Sequence, residues 1–516
     1  MTRGQRDLTS VSMAEYTRFP QGIVGVIGGD LPLGERSSRL EELAGIALDA
    51  AEVRADLFAS GEEALGALRE VVAAGVPAIF TVRHAREGGG FEGPEEVRIE
   101  LYGRALDLGA AALDVEHGTP LAAELSRRVA PLILSHHDPI AMPPPEEMDR
   151  LAREMAALPC LAIKLACVAR TLPDAASMLE WLGRRGGDDP PRIGLALGKA
   201  GFASRILATA RGSPVTYASF GELAPGEIGI EELHRDYAPA RLGSATRVLG
   251  IVGSRIDDKF QKVSYYNRRI FGWRGIDAVC LPLFVESLGE VLEAAEPLRI
   301  AAVIVGEPFG EAALAAADEA DRWSQEAGAA DLLEVSLIGG RARLIARAAT
   351  IQAVVRQVKR GSRVAVMGTG KLERAAALAL LDAGAAPTLF SRDLERPASL
   401  SRAAGVRVRP AEEPSDEFDE VLELGDRPSL SPSNLPSPES MALLLEDFRK
   451  NLAVFQSRWN DRGPNESKVP FPAGMRNQIR VLQALLKSKS AIVKTRTEIE
   501  VSALTGGPAS AAEAGG

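Results

Sequence analysis

The sequence predicts an α/β chain: a barrel of eight βα units first, a smaller α/β region second, and a partly disordered C-terminal extension last. Three observations carry that prediction. Eight short apolar, β-branched runs recur at intervals of 20 to 34 residues as far as about residue 240, separated by Ala/Leu/Glu/Arg-rich stretches with helical spacing. Near residue 247 the pattern restarts with a different rhythm. From about residue 426 it gives way to a Pro/Ser-rich stretch.

In order, the eight runs are GIVGVIGG from 22, EVRAD from 52, AIFTVR from 78, ALDVE from 112, LILSHH from 132, LAIKLACV from 161, RIGLALG from 192 and VTYASF from 215. Segments such as GEEALGALREVVAAG and PLAAELSRRVA fill the gaps as helices. Eight units in about 220 residues is the size of a TIM, or (β/α)8, barrel, with an open doubly wound sheet as the competing arrangement. The second region offers strands at RVLGIVG from 247, IDAVCLPLF from 276 and RIAAVIVGE from 299. A hairpin at LLEVSLIGGRARLI from 332 and a helix at TIQAVVRQVKRG follow. Residues 362–393 then read strand, Gly-containing turn, helix, strand, which is a Rossmann-like unit. Two amphipathic helices are expected at 439–458 and 474–490 before a flexible tail. The expected division is a tail at 1–20, the barrel at 21–240, an α/β subdomain at 245–350, the Rossmann-like subdomain at 351–425 and the extension at 426–516.

Composition narrows the function. A chain of 516 residues, 46% hydrophobic and 25% charged, implies two to four packed domains. No apolar run approaches the ~20 residues of a membrane helix. The first twenty residues lack a secretory pattern, and three cysteines make neither a disulfide framework nor a zinc set, so a reducing cytosol is expected. A net charge of −10 argues against nucleic acid as a partner. A small-molecule substrate is expected instead, with no membrane, and self-association into a homo-oligomer is left open. Of 60 basic residues only 11 are lysine, and the first 250 residues contain just Lys164 and Lys199.

Residues two apart share a strand face. That rule places Glu52, Arg54 and Asp56 together, Asp114 with Glu116, and Ser135 with His137; Arg83 ends the third strand and Lys164 sits within the sixth. An ionisable group inside an apolar strand costs several kcal/mol unless paired. Such groups on five consecutive strands, near the ends that converge in a barrel, point to an active site. Lys164 is flanked on its own face by Ala162 and Ala166, which leaves room for a ligand. Burial and nearby Arg54 and Arg83 are expected to lower its pKa, giving the neutral amine that attacks a carbonyl to form a Schiff base. His137 beside it is placed to move protons at the neighbouring carbon. No second inward His completes a metal site. Lys199, in a Gly-flanked turn, reads as a surface residue.

These residues resemble type I 3-dehydroquinate dehydratase over roughly residues 20–240: Glu-x-Arg-x-Asp at 52–56, Thr-Val-Arg-His-Ala-Arg-Glu-Gly-Gly at 81–89, Ser-His-His-Asp at 135–138, Ile-Lys at 163–164 and Ser-Arg at 204–205. The resemblance implies a TIM-barrel lyase of the shikimate pathway that needs no cofactor. It implies Lys164 as the Schiff-base residue, His137 as the proton-transfer group and Glu87 as the residue that positions His137. Glu52, Arg54 and Arg83 would bind substrate hydroxyls and Arg205 the carboxylate, with Glu227 in the loop that closes over the substrate. Three positions depart from the family. Leu223 replaces a hydroxyl and Glu227 an amide, and Gly25 stands where the first strand often supplies a polar contact. A different Schiff-base barrel, such as a class I aldolase, would have no reason to carry this Arg/Glu/His set.

Residues 247–425 resemble shikimate dehydrogenase in layout, the domain fused to this dehydratase in plant-like bifunctional enzymes. Its proton-transfer lysine is missing from Val305-Gly-Glu-Pro-Phe-Gly310, its partner aspartate is missing around Ala348–Ile351, and its acid-holding segment reads Asp258–Ser264 with Asn267 as a remnant. Gly368, Gly370 and Arg392 are the residues that would hold NADP, although Glu373 puts an acid where a diphosphate would lie. The expectation is a degenerate dehydrogenase-like region. A working NADP-dependent second enzyme and a non-catalytic interaction module are the alternatives.

Overall fold

In the computed structural model the described residues are 20–30, 33–45, 47–128, 131–187, 189–220, 226–253, 263–306, 308–338, 341–367, 370–391, 406–410 and 418–423, with Ile499 and Val501. Leu223, residues 258–262, Gly368, Arg392 and both helices expected after 426 lie outside them. The chain divides into two compact units, Met1–Arg247 with Tyr266–Arg299 and Val248–Tyr265 with Ile300–Gly516.

The first unit is built on eight parallel strands: β1 (Gly22–Ile27), β2 (Ala50–Arg54), β3 (Ala78–Thr81), β4 (Ala112–Glu116), β5 (Leu132–Asp138), β6 (Ala162–Val168), β7 (Arg192–Leu197) and β8 (Val215–Ser219). Their order, β7-β6-β5-β4-β3-β2-β1-β8, brings the last strand back beside the first in a nearly closed barrel. Helices α1 (Leu33–Leu43), α2 (Gly61–Ala73), α3 (Glu95–Asp107), α4 (Pro120–Arg127), α5 (Pro145–Ala156), α6 (Leu172–Gly183) and α7 (Phe202–Leu207) alternate with the strands. Their starts are set locally. Ser60 and Thr119 accept from backbone N–H groups of α2 and α4, and Thr171 with Asp174 forms a capping box on α6. Pro120 and Pro145 each sit in a first turn, where a missing N–H costs nothing.

Alternation along the strands sorts the barrel interior into layers. Val24, Ala50, Ile79, Ala112, Ile133, Ala162, Ile193 and Val215 belong to one apolar interior cluster, which Ala166, Leu195 and Tyr217 extend upward. One step nearer the C-terminal ends come Glu52, Thr81, Asp114, Ser135 and Lys164, all 0–3% exposed. The register holds them level: Thr81 pairs with Asp114 and Ser135 with Lys164. Two sequence expectations shift here. Asp56 lies beyond β2 in a 3-10 turn (Ala55–Leu57), and Arg83 lies two residues past β3.

In the second unit β9 (Arg247–Val252) runs parallel to β11 (Ile300–Val305), and β11 pairs antiparallel with β13 (Leu332–Ile338). The expected hairpin is present as β13 and β14 (Arg341–Arg347), and β12 (Glu319–Ala320) adds to β14 in parallel. The strand expected at 276 forms as β10 (Ala278–Pro282), within the first unit's limits. A separate parallel sheet has β15 (Arg363–Met367) at its centre, flanked by β16 (Ala386–Ser391) and β18 (Glu420–Glu423), with β17 (Arg407–Pro410) outside β16. The helix Lys371–Asp382 connects β15 to β16, the Rossmann-like unit expected from the sequence, whereas β12, β17 and β18 were not foreseen.

Candidate active site

At the C-terminal ends of the strands a buried ionic cluster fills the mouth of the barrel. Lys164 on β6 donates through Nζ to Asp114 Oδ2 at 2.9 Å and lies 3.5 Å from Glu52 Oε1. Tyr217 on β8 places its ring below the amine, 4.3 Å from centroid to Nζ. Thr81 Oγ1 donates to Glu52 Oε1 at 2.6 Å. Asp114 also accepts from Arg83 Nη2 and from Ser135 Oγ, each at 2.6 Å, and Arg83 Nη1 donates to Ser135 Oγ at 2.9 Å. Glu116 stands 3.3 Å from Arg83 and pairs with Arg98 of α3, a fully buried arginine. Three cations (Arg83, Arg98, Lys164) thus face three anions (Glu52, Asp114, Glu116), which is what makes burial of all six tolerable.

The balance fixes protonation. Burial alone pulls the Lys164 amine down, as expected from sequence. The carboxylates of Asp114 and Glu52 outweigh it and hold the amine above its ordinary range. The expected lowering by Arg54 and Arg83 is therefore overturned: of the two, only Arg83 is among the main influences, and it is outmatched by carboxylates that touch the amine. The resting residue is an ammonium ion.

His137 is the opposite case. Burial, then the charges of Arg83 and Lys164, holds its imidazole well below the usual histidine range, so the ring is neutral. Its backbone N–H donates to Glu87 Oε2 at 2.9 Å, and ring Nδ1 lies 3.3 Å from the same oxygen. Burial pushes the Glu87 carboxyl up to about 7, against the pull of Arg83. Glu87 follows β3 in a short 3-10 turn whose exit, Gly88, has φ +77°. The next residue must also be glycine, because a Cβ at Gly89 would come within 2.1 Å of the Arg83 carbonyl oxygen. Asp56 braces this loop by accepting from the N–H groups of Arg83 and Gly90, while it holds Arg54 through both carboxylate oxygens at 2.9 and 2.8 Å.

Arg205, on α7, donates through Nη1 to the Tyr217 carbonyl at 2.9 Å. Its Nε is buried without a hydrogen-bond partner among the described residues. Burial lowers the guanidinium's pKa, and the carboxylate of Glu227 is near enough to offset part of that.

Lys164, His137, Glu87, Glu52 and Arg83 therefore belong to one cluster, with Arg54 beside it through the fields of Glu52 and Arg83. Arg205 and Glu227 form a second group joined to it through Tyr217. Asp114 and Ser135, which the alternation already set on the active-site face, gain their partners here, and Arg98 is the member of the cluster that the sequence pattern did not single out. Among the described residues no group of His, Cys, Asp and Glu could hold a metal ion, and no helix is long and apolar enough to cross a membrane.

A family model described as type I 3-dehydroquinase matches residues 32–240. The chain is 28% identical over 360 residues to a bifunctional 3-dehydroquinate dehydratase/shikimate dehydrogenase of Arabidopsis thaliana, covering 64% of this chain and 58% of that one. It is 34% identical over 180 residues to a 3-dehydroquinate dehydratase of Pyrobaculum aerophilum, covering 34% and 58%. It is 31% identical over 167 residues to a 3-dehydroquinate dehydratase of Dehalococcoides mccartyi, covering 31% and 74%. The chain thus spans little more than half the length of the first two relatives and about three quarters of the third. With a buried barrel lysine beside a neutral, carboxylate-held histidine, and relatives matched at this level, the chain belongs to the type I 3-dehydroquinate dehydratase family.

Proposed function

We propose that the barrel dehydrates 3-dehydroquinate to 3-dehydroshikimate in the cytosol through a Schiff base on Lys164, without a cofactor. The observation that carries this reading is the setting of Lys164: a single amine buried among carboxylates on β2 and β4, in the same cluster as the His137–Glu87 pair. The amine condenses with the substrate ketone to give an iminium. His137, neutral and held on Glu87 through its Nδ1 side, removes a proton from the carbon next to it. The C–H electron pair moves toward the iminium nitrogen, and its return expels the hydroxyl two carbons away, which leaves as water with the proton from His137. Glu52, Arg54 and Arg83 hold substrate hydroxyls. Arg205 takes the carboxylate, a role its unpartnered buried Nε supports.

We also propose that the chain divides into a tail at 1–20, the barrel at 21–240, an α/β subdomain at 245–350, a Rossmann-like subdomain at 351–425 and an extension at 426–516, with the second region a degenerate shikimate-dehydrogenase-like module. The described residues at the start of the helix after β15 do not suit NADP. A Cβ at Gly370 would meet Glu373 Oε2 at 2.5 Å, and Glu373 is 4% exposed, so a buried carboxylate already lies at the helix end that a diphosphate would need. The length of the Arabidopsis match, 64% of this chain, favours one second reading, a bifunctional enzyme. Full-length protein mixed with 3-dehydroquinate tests the first reading by appearance of the conjugated product. NADPH oxidation on adding 3-dehydroshikimate tests the second, and no oxidation is expected.

A further inference from the structure

Tyr217 is 2% exposed inside the barrel, and its hydroxyl has no hydrogen-bond partner among the described residues. A buried hydroxyl left unpaired is costly, and such groups recur where a ligand completes them. The hydroxyl lies where the charge of Lys164 acts on it, beside an amine 4.3 Å from the ring centroid. The other groups touching that amine, Asp114 and Glu52, are carboxylates and only accept. Their own donors are committed, Thr81 to Glu52 and Ser135 to Asp114. Among the described groups around Lys164, Tyr217 offers a neutral O–H that no acceptor takes up, while Lys164 acts on the phenol oxygen as a donor.

Resting on the Schiff-base reading, we propose that Tyr217 is a catalytic residue of imine formation: its hydroxyl donates to the ketone oxygen and relays protons to it from the Lys164 nitrogen. The reaction balances without any outside acid. The nitrogen lone pair, freed as one ammonium proton leaves, forms the C–N bond while the C=O π pair moves to oxygen, and Tyr217 donates to that oxygen as it accepts the proton from nitrogen. A second proton follows the same path, the C–O bond breaks, and nitrogen forms C=N. Ammonium plus ketone become iminium plus water, both protons of the water come from nitrogen, and the phenol ends neutral. Burial holds Tyr217 above its ordinary pKa, which keeps it a donor throughout.

The test is Tyr217→Phe in the full chain, which keeps the ring against Lys164 and removes only the hydroxyl. Protein is mixed with 3-dehydroquinate, quenched with borohydride at short intervals, and the adduct followed by intact mass beside steady-state dehydration. Adduct formation is expected to slow on the order of 100-fold, with a thermal midpoint equal to or above that of the wild type. Adduct formation at the wild-type rate, or a loss confined to the steps after the imine, overturns the role of Tyr217. A wild-type protein that gives no adduct marks failure of the Schiff-base reading itself, and this proposal falls with it.

Discussion

Replacing Asp114 with Asn removes one buried charge and almost no volume. Asp114 accepts from Lys164 at 2.9 Å and from Arg83 and Ser135 at 2.6 Å each, and it is fully buried. After the change three buried cations face two anions. At an effective dielectric constant of about 20, a unit charge at 2.9 Å contributes about 6 kcal/mol, or roughly four pKa units. Glu52 remains, and the Asn dipole recovers part of the loss, so a fall of about two to four units at Lys164 is the expectation. The same imbalance costs about 3–5 kcal/mol of stability. The assay is borohydride trapping with 3-dehydroquinate at fixed short times from pH 5 to 10, together with a thermal melt. In the wild type, the trapped fraction should rise with pH, because the amine must shed a proton that Asp114 helps to hold. In Asp114→Asn the rise should shift to lower pH by those units, with a lowered melting point. An unshifted profile and an unchanged melt would refute the view that Asp114 keeps the resting lysine charged.

Glu87→Gln should show its effect in stability. A carboxyl raised from 4.5 to about 7 by burial makes the folded state bind the extra proton between those values, so stability falls as pH rises from 4.5 to 7. The penalty is fully present above pH 7, at about 3 kcal/mol. The variant's melting point should therefore exceed the wild type's by a margin that widens from pH 5 to pH 8, and a constant gap would count against it. Glu227→Gln frees Arg205 from a competing carboxylate, so KM for 3-dehydroquinate should fall several-fold with little change in kcat. A titration with NADPH should leave its fluorescence unchanged, given Glu373 against Gly370.

Much of the barrel was legible because its strands alternate: Ala162, Lys164 and Ala166 declare one face, and the flanking Ile163 and Leu165 the other. What the sequence hides is which strands stand side by side at which height. Lys164 lies level with Ser135, and Asp114 with Thr81, only through the ladder register. The sign of the Lys164 shift depends on that register, because it sets Asp114 and Glu52 against the amine, where they outweigh burial and Arg83. Tyr217 escaped notice for a related reason, since it approaches Lys164 only when the barrel curls round. Arg98 was detectable in principle. It falls three and four positions before Leu101 and Tyr102, on the buried stripe of α3. Asp56 looked like a strand residue because the chain turns tightly after Arg54, a change no period-two pattern marks.

The central claim is that Lys164 carries the substrate as a Schiff base and His137 carries the protons. Borohydride added to full-length protein with saturating 3-dehydroquinate should leave one covalent adduct, mapped by peptide mass to Lys164 and absent from Lys164→Ala. In His137→Ala the adduct should still form, while dehydration falls by about 100- to 10,000-fold. No adduct in the wild type, or an adduct on Lys199 instead, would contradict the account.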